Sequence, residues 1–488
     1  MGNSNSIAGR SCFLSALGNN TDLVDFRGDI LYEIRGLPSY NLAYPVHPSV
    51  ITYPKTTDQI AEIVRCAAES NYKVQAYSGG HSYGNYGLGG VDGHVVVDLK
   101  NFQDFSMDPD THVATIGAGT KLGDLQDRLL HAGGRAMAQG SCPQVGVGGH
   151  FTIGGLGLMS RQWGLALDHV VEAEVVLANS SVVTASDTQN QDVFWAVKGA
   201  AASFGIVTQF KVRTHPLPKA ALQYTYLFSQ GGVLDRVKLF LDWQSLIAKP
   251  NITRNYSSQL TIFQDGILIL SSFFGTEEEF REFQQENDLP FQSMGNVAYI
   301  TSWLSLIAHT AEDYLIQIFG GVYTSFYSKS VSFTADQLLN EQALVALFTY
   351  LDSAPKGTQA WWIIFNLEAG ATNDVPMDAT AYVHRDAVMW MQSYSVVGFE
   401  PPSFIAKRFL NRLHDVILGN RPPGPLRSYP GYVDPYLKDG QMAYWGTNLP
   451  RLQDIKTQID PKDIFHNPQS VAVNPANKST VRRERWAL

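Results

Sequence analysis

Two short stretches of the chain carry residues whose type and spacing could do chemistry. The denser is Gly146-Val147-Gly148-Gly149-His150-Phe151-Thr152-Ile153-Gly154-Gly155-Leu156-Gly157, six glycines in twelve residues. Without side chains in the way, backbone N–H groups in such a run can approach an anion such as pyrophosphate; the competing reading is a set of tight turns. A cysteine precedes it in Gly140-Ser141-Cys142-Pro143. The second stretch is Ser78-Gly79-Gly80-His81-Ser82-Tyr83-Gly84, a histidine in a glycine loop. Its last five residues also fit the G-x-S-x-G elbow of serine hydrolases. That elbow must open a helix, and Asn85-Tyr86-Gly87-Leu88-Gly89-Gly90 cannot hold one. The glycine run is not a dinucleotide fingerprint, since Leu158-Met159-Ser160 follows Gly155-Leu156-Gly157 where a third glycine belongs. With no Walker A loop, H-E-x-x-H or paired C-x-x-C, no metal site is expected.

The elements that must hold these loops can be read from periodicity. Thr56 and Gln59 predict a capping box, followed by Ile60, Ile63, Val64 and Ala67 at helical spacing. Val74–Tyr77 reads as a short strand running into the histidine loop, and His94–Leu99 and Ala114–Ile116 as further strands. A helix over Lys121–His131 carries Leu122, Leu125 and Leu129 on one face. Val170–Leu177 and Val182–Ala185 predict a hairpin across Asn179-Ser180-Ser181. From Lys219 to about Met442 the texture changes to longer, aromatic-rich strands with helices between them, and the tail returns to the first style.

Composition narrows the function. At roughly 100–200 residues per domain, 488 residues make two or three domains. Apolar residues are 44% and charged residues 17% of the chain, so there is enough surface to bury and disorder is excluded as the general state. A formal charge of -9 argues against a nucleic-acid groove. No apolar run reaches the roughly 18–20 residues of a membrane span. The three cysteines, Cys12, Cys66 and Cys142, allow at most one bridge and leave a thiol over. Met1-Gly2 with Ser6 fits a permissive myristoylation pattern, and sequons at Asn19, Asn179, Asn251, Asn255 and Asn477 are compatible with secretion. The expectation is a secreted monomer whose leader has been removed, with an intracellular location as the alternative.

Taken in order, the histidine loop, the Cys142 loop with its glycine run, Asp192-Val193-Phe194-Trp195-Ala196-Val197-Lys198-Gly199 and Tyr444-Trp445-Gly446-Thr447-Asn448-Leu449 form a pattern. It resembles the vanillyl-alcohol-oxidase-type (PCMH-type) flavoproteins, and within them the berberine-bridge-enzyme-like branch with its fungal carbohydrate oxidases. The resemblance implies an α+β fold: an FAD-binding domain over 1–217, a substrate domain over 218–442 and a return to the FAD domain over 443–488. It implies FAD bonded through His81 to the flavin 8α carbon and through Cys142 to C6. Cys12 and Cys66 then match an N-terminal disulfide of the carbohydrate-oxidase branch, which favours an oxidising compartment. Flavin contacts are implied at Gly79, Gly80, Ser82, Tyr83, Gly84, Val145, Gly146, Gly148, Gly149, His150, Gly154, Gly155, Gly205, Val207, Tyr444 and Asn448. Val145 matches the position that gates oxygen, and a small residue there favours an oxidase. In Gly199-Ala200-Ala201-Ala202-Ser203-Phe204-Gly205 alanines interrupt the glycine run of the relatives, so the local backbone is expected to differ.

On the substrate side, strand alternation over Gln359–Leu367 groups Trp362, Ile364 and Asn366, and over Tyr382–Tyr394 it groups His384, Trp390, Gln392 and Tyr394. The resemblance implies that Trp362, Asn366 and Gln392 face the substrate, with Tyr83 and Tyr429, and that Tyr432 is the base. The oligosaccharide oxidases carry Asp at the position of Asn366 and a polar residue at that of Ile364. An alcohol or phenol-like substrate is therefore expected ahead of a sugar oxidised at its anomeric carbon, or a natural product cyclised oxidatively, with O2 as the second substrate.

Overall fold

The computed structural model describes residues 7–218, 220–229, 231–287, 296–300 and 323–474. The myristoylation pattern and the sequon at Asn477 lie outside them. The fold is α+β, as expected, with three principal sheets. The first takes Val24–Phe26, Val50–Thr52, Val95–Asp98 and Val74–Tyr77 in that spatial order. Val95–Asp98 runs parallel to both of its neighbours. Parallel neighbours require a crossover, and the helix Thr57–Glu69 lies between Val50–Thr52 and Val74–Tyr77 in the chain. Thr56 caps it, accepting from the Gln59 N–H, and Ile60, Ile63, Val64 and Ala67 are buried. Gln59 Oε1 accepts from the N–H of Lys55 at 2.7 Å, so the reciprocal bond of the expected box closes one residue early.

The second sheet is antiparallel and orders Phe105–Met107, Val113–Gly117, Gly205–Arg213, Val170–Leu177 and Val182–Ser186. Its last two strands are the expected hairpin: Ser180 takes a left-handed conformation, and Asn179 Oδ1 accepts from the N–H of Ser181.

Seven antiparallel strands make the third sheet, in the order Asn296–Ile300, Ala221–Phe228, Gly266–Phe273, Tyr256–Phe263, Ala360–Leu367, Met389–Val396 and Phe326–Phe333. Helices Val233–Ile247, Glu341–Ser353 and Phe404–Asn420 share one core with this sheet, in which Trp361, Ile363 and Phe365 pack with Phe240, Leu347 and Phe409. Strand geometry then turns Trp362, Ile364 and Asn366 to the opposite face. The expected strand over Tyr382–Tyr394 is shorter, running only from Met389. A buried bidentate ion pair from Arg385 to Asp168, at 2.7 and 2.8 Å, holds the preceding loop against the first segment. His384 therefore leaves the face of Gln392 and Tyr394 and sits buried, edge-on to Tyr382 and Trp390.

The tail packs back on the first segment. Tyr444, Trp445, Leu452 and Ile455 form one core with Trp195, Ala196 and Phe204. Cys12 and Cys66 are bridged, with Cα atoms 5.7 Å apart, and Cys142 is free. No helix among the described residues is long and apolar enough to cross a membrane.

Candidate active site

A cavity of about 510 Å3 opens between the glycine loops and the Trp362 face of the seven-stranded sheet, within the size range of cofactor sites. The strand Val74–Tyr77 delivers the histidine loop to its wall. Ser78 Oγ donates to the Ala118 oxygen at 2.6 Å. Gly79 then meets Gly146 backbone to backbone: a Cβ on either would lie 2.1 Å from the amide nitrogen of the other. This contact brings His81 and Cys142 to one cavity. The His81 ring lies 4.4 Å from that of Tyr40. Burial, with help from Lys121, pushes its imidazole down to about 4, so it is neutral at physiological pH. Burial pushes the Cys142 thiol up, while the N–H groups of Gln144 and Val145 pull it back. Negative charge on Cys142 is felt by Tyr40 and Tyr83, the neighbours of His81.

Much of the glycine run is closely packed. The N–H groups of Val147 and Gly148 donate to the oxygens of Thr120 and Ala118. A Cβ on Gly157 would lie 1.9 Å from the Gln139 oxygen. Of the six glycines only Gly149 has open space where a side chain would be. His150, in the helical turn Val147–His150, accepts from the Gly140 N–H through Nε2 at 2.9 Å. Its neutral form therefore carries its proton on Nδ1, and burial holds the ring neutral, at about 4.

On the sheet side, Trp362, Ile364, Asn366 and Gln392 line the cavity, and Tyr83, Tyr429 and Tyr432 close it. A run of hydroxyls joins these walls. Tyr83 and Tyr394 share a hydrogen bond at 2.9 Å, Tyr394 donates to Gln392 Oε1, and Gln392 is also bonded to Tyr432. Tyr432 lies parallel to Tyr83, with centroids 6.2 Å apart. Burial, then the neighbouring phenols, pushes the Tyr432 hydroxyl well above its usual range. Its loop is anchored at both ends. Tyr429 N–H donates to Ser330 Oγ, the Tyr429 hydroxyl accepts from Gly155 N–H, and Asp434 pairs with Lys329 at 2.5 Å.

Gly80, Ser82, Val145, Gly205, Val207 and Tyr444 also line the cavity. Four residues expected at the flavin do not. Gly84 packs against Tyr86, Gly154 lies under Tyr429 and Tyr382, and Gly155 is packed on Ala166. Asn448 spends its side chain on the oxygens of Met377 and Thr380, tying the tail to a loop of the middle segment. Ala200, Ala201 and Ala202 do line the cavity, after a break at Lys198 and Gly199 where the chain leaves helical geometry. Among the wall residues that the sequence reading does not single out are Tyr40 and Glu368. Tyr40 gives no local signal, but Glu368 continues the alternation of Trp362, Ile364 and Asn366 by one further step.

The free nucleophiles, the glycine contact and the size of the cavity fit a flavin dinucleotide. The family model described as "FAD binding domain" matches residues 48–186, and that described as "Berberine and berberine like" matches 428–472. The chain is 37% identical to the FAD-linked oxidoreductase sorD of Penicillium rubens, over 94% of this chain and 98% of the relative. It is 33% identical to glucooligosaccharide oxidase of Sarocladium strictum, over 89% of each chain. Among solved structures, xylooligosaccharide oxidase from Myceliophthora thermophila C1 in complex with xylobiose superimposes with a TM-score of 0.86 at 31% identity, over 96% of this chain and 99% of the other. The glucooligosaccharide oxidase of Acremonium strictum, a structure that reveals a novel flavinylation, does so with a TM-score of 0.86 at 30% identity, over 96% and 99%. That oxidase carries a 6-S-cysteinyl, 8α-N1-histidyl FAD. The chain thus belongs to the FAD-linked oxidoreductases of the PCMH-type fold, in the berberine-bridge-enzyme-like branch that includes the fungal carbohydrate oxidases.

Proposed function

We propose that this enzyme is an oxidase that carries FAD bonded to both His81 and Cys142 and oxidises a hydroxyl group of a small molecule, with O2 as the final acceptor. The observation that carries the reading is the convergence of a neutral buried histidine and a free cysteine on one cavity, from two loops that touch at Gly79 and Gly146. FAD held there supplies the two-electron acceptor for a C–H bond of the substrate. The protein orients the substrate between Trp362, Gln392 and the phenols, and Tyr432 Oη takes the proton of its hydroxyl group. Val145, on the wall beside Cys142, leaves room for oxygen.

For the substrate, the face that meets it presents Trp362, Ile364 and the uncharged Asn366, and no lysine or arginine lines the cavity among the described residues. These features support an apolar alcohol or a phenol-like metabolite. The likeness to three oligosaccharide oxidases supports a second reading, oxidation of a sugar at its anomeric carbon. An anaerobic panel of cellobiose, xylobiose, benzyl alcohol and cinnamyl alcohol separates them by which compound bleaches the flavin. The attachment is tested by acid denaturation and intact mass. The wild type should keep one FAD on the protein, C142A should keep it through a single bond, and the H81A/C142A double variant should release it. Flavin freed by acid from the wild type would refute the tether.

A further inference from the structure

Glu368 is the only carboxyl on the cavity wall among the described residues. It follows the strand Ala360–Leu367 directly, and its N–H still donates to the Val388 oxygen at 2.9 Å, so it keeps the alternation that points Trp362, Ile364 and Asn366 at the cavity. It is 5% exposed, and its Oε2 is buried without a hydrogen-bond partner. The nearest cation does not satisfy it. Arg161 donates instead to main-chain oxygens, those of Glu368 itself, of Tyr256 at 2.8 Å, and of Ile252 and Thr253 at 3.3 Å. Around the carboxyl stand three phenols that feel its charge, Tyr382, Tyr429 and Tyr432. An unpartnered buried carboxyl oxygen is costly, and here it faces the cavity in which a hydroxyl proton must be disposed of.

We propose that Glu368 is the final acceptor of the proton that leaves the substrate hydroxyl, receiving it through Tyr432. The proposal rests on the oxidase reading above. In each turnover the substrate loses a hydride, whose electron pair goes to FAD, and a proton. Tyr432 Oη accepts that proton as its own passes across the cavity that both residues line, so the phenol is unchanged and the Glu368 carboxylate becomes a carboxylic acid. The acid returns its proton when O2, taking up two electrons and two protons, leaves as H2O2. Tyr432 alone is poorly suited to keep the proton's charge balance, since burial disfavours its phenolate. Glu368 is better matched: burial lifts its carboxyl to about 8, with Arg161, the one charged group that acts on it, pulling the other way. Near that pH it exchanges between acceptor and acid.

The test uses the FAD-loaded enzyme with E368Q, which keeps the shape but cannot accept a proton, and E368D, which keeps the carboxyl. Infrared difference spectra of the wild type should show a protonated-carboxyl band that titrates near pH 8 and is missing in E368Q. Anaerobic flavin reduction by the bleaching member of the panel should rise with the same midpoint. E368Q should lose that rising limb and reduce its flavin roughly 10²–10⁴-fold more slowly, with flavin absorbance unchanged, and E368D should restore part of the limb. Because the folded pKa is raised, stability of the wild type relative to E368Q should be greatest below about pH 4.5 and fall as the pH rises through about 8. An E368Q enzyme that keeps the wild-type pH limb, or a carboxyl band absent at pH 6, would overturn the relay. If no hydroxyl compound of the panel bleaches the flavin, the oxidase reading itself fails and takes the relay with it, whatever the infrared band does.

Discussion

Tyr432 and His150 show how one physical effect, burial, sets two different chemistries. At Tyr432 burial keeps the phenol protonated, so the base role proposed for it depends on passing its own proton onward. Loss of a general base costs about 10²–10⁴-fold, roughly 3–5 kcal/mol of transition-state stabilisation. Y432F should slow anaerobic flavin reduction by that factor while the spectrum of the bound FAD stays the same; reduction at the wild-type rate would move the base to another phenol, with Tyr429 next to test. At His150 burial instead keeps the ring neutral, and the Gly140 N–H bond to Nε2 is available only to the neutral form. The folded pKa, about 4, lies below the ordinary 6.5, so the unfolded chain binds the proton more readily. The stability associated with His150 is therefore present above about pH 6.5 and lost as the pH falls through about 4. Thermal melts of the wild type and H150Q should differ most near pH 7 and converge toward pH 4.

Among elements, the contact of the two glycine loops is the joint on which the site depends. A methyl group at Gly146 would meet the Gly79 nitrogen and the Ser78 hydroxyl at 2.1 and 2.2 Å, and the backbone atom cannot swing aside. Overpacking of this kind typically costs 1–3 kcal/mol. G146A should melt lower and fail to retain FAD after acid, whereas G149A, whose methyl would enter open space, should melt as the wild type does before FAD is bound. This joint also marks what the sequence could and could not tell. Periodicity located the Thr57–Glu69 helix, the Val170–Ser186 hairpin and the face of Trp362, Ile364 and Asn366, because each is decided by neighbours a few residues away. The glycine run suggests anion binding, yet three of its six glycines, Gly146, Gly148 and Gly157, sit where two distant backbones touch, and composition does not distinguish these causes. His384 was misplaced because a long-range ion pair, Arg385 to Asp168, overrides local alternation. Glu368 lies one step beyond the strand and continues its alternation, so it is legible from the same pattern.

At the scale of the molecule, the chain's last described segment returns to brace the strand that delivers His81. Phe465 bridges to Val74 in that strand, and Ile464 accepts from the Val74 N–H at 2.9 Å. This return is held by Lys456, whose buried ammonium donates to Asp460 Oδ2 at 2.7 Å and to the main-chain oxygens of Ser203 and Phe465 at 2.7 and 2.8 Å. Asp460 in turn accepts from the N–H groups of Ile464 and Phe465. A Lys–Asp pair four residues apart is ordinarily exposed and weak; here both ends are buried. Removing one partner of such a pair strands a charge in the interior and costs about 3–5 kcal/mol, while removing both costs much less. K456M should therefore lower the urea midpoint strongly. K456M/D460N should recover part of the loss, even though it deletes more hydrogen-bonding groups. Because the brace ends beside Val74, K456M should also expose the histidine loop to proteolysis below the global unfolding midpoint. Equal midpoints for the single and double variants would mean that the lysine acts through its main-chain bonds and through Asp463, whose Oδ1 lies 3.0 Å from the ammonium, not through Asp460.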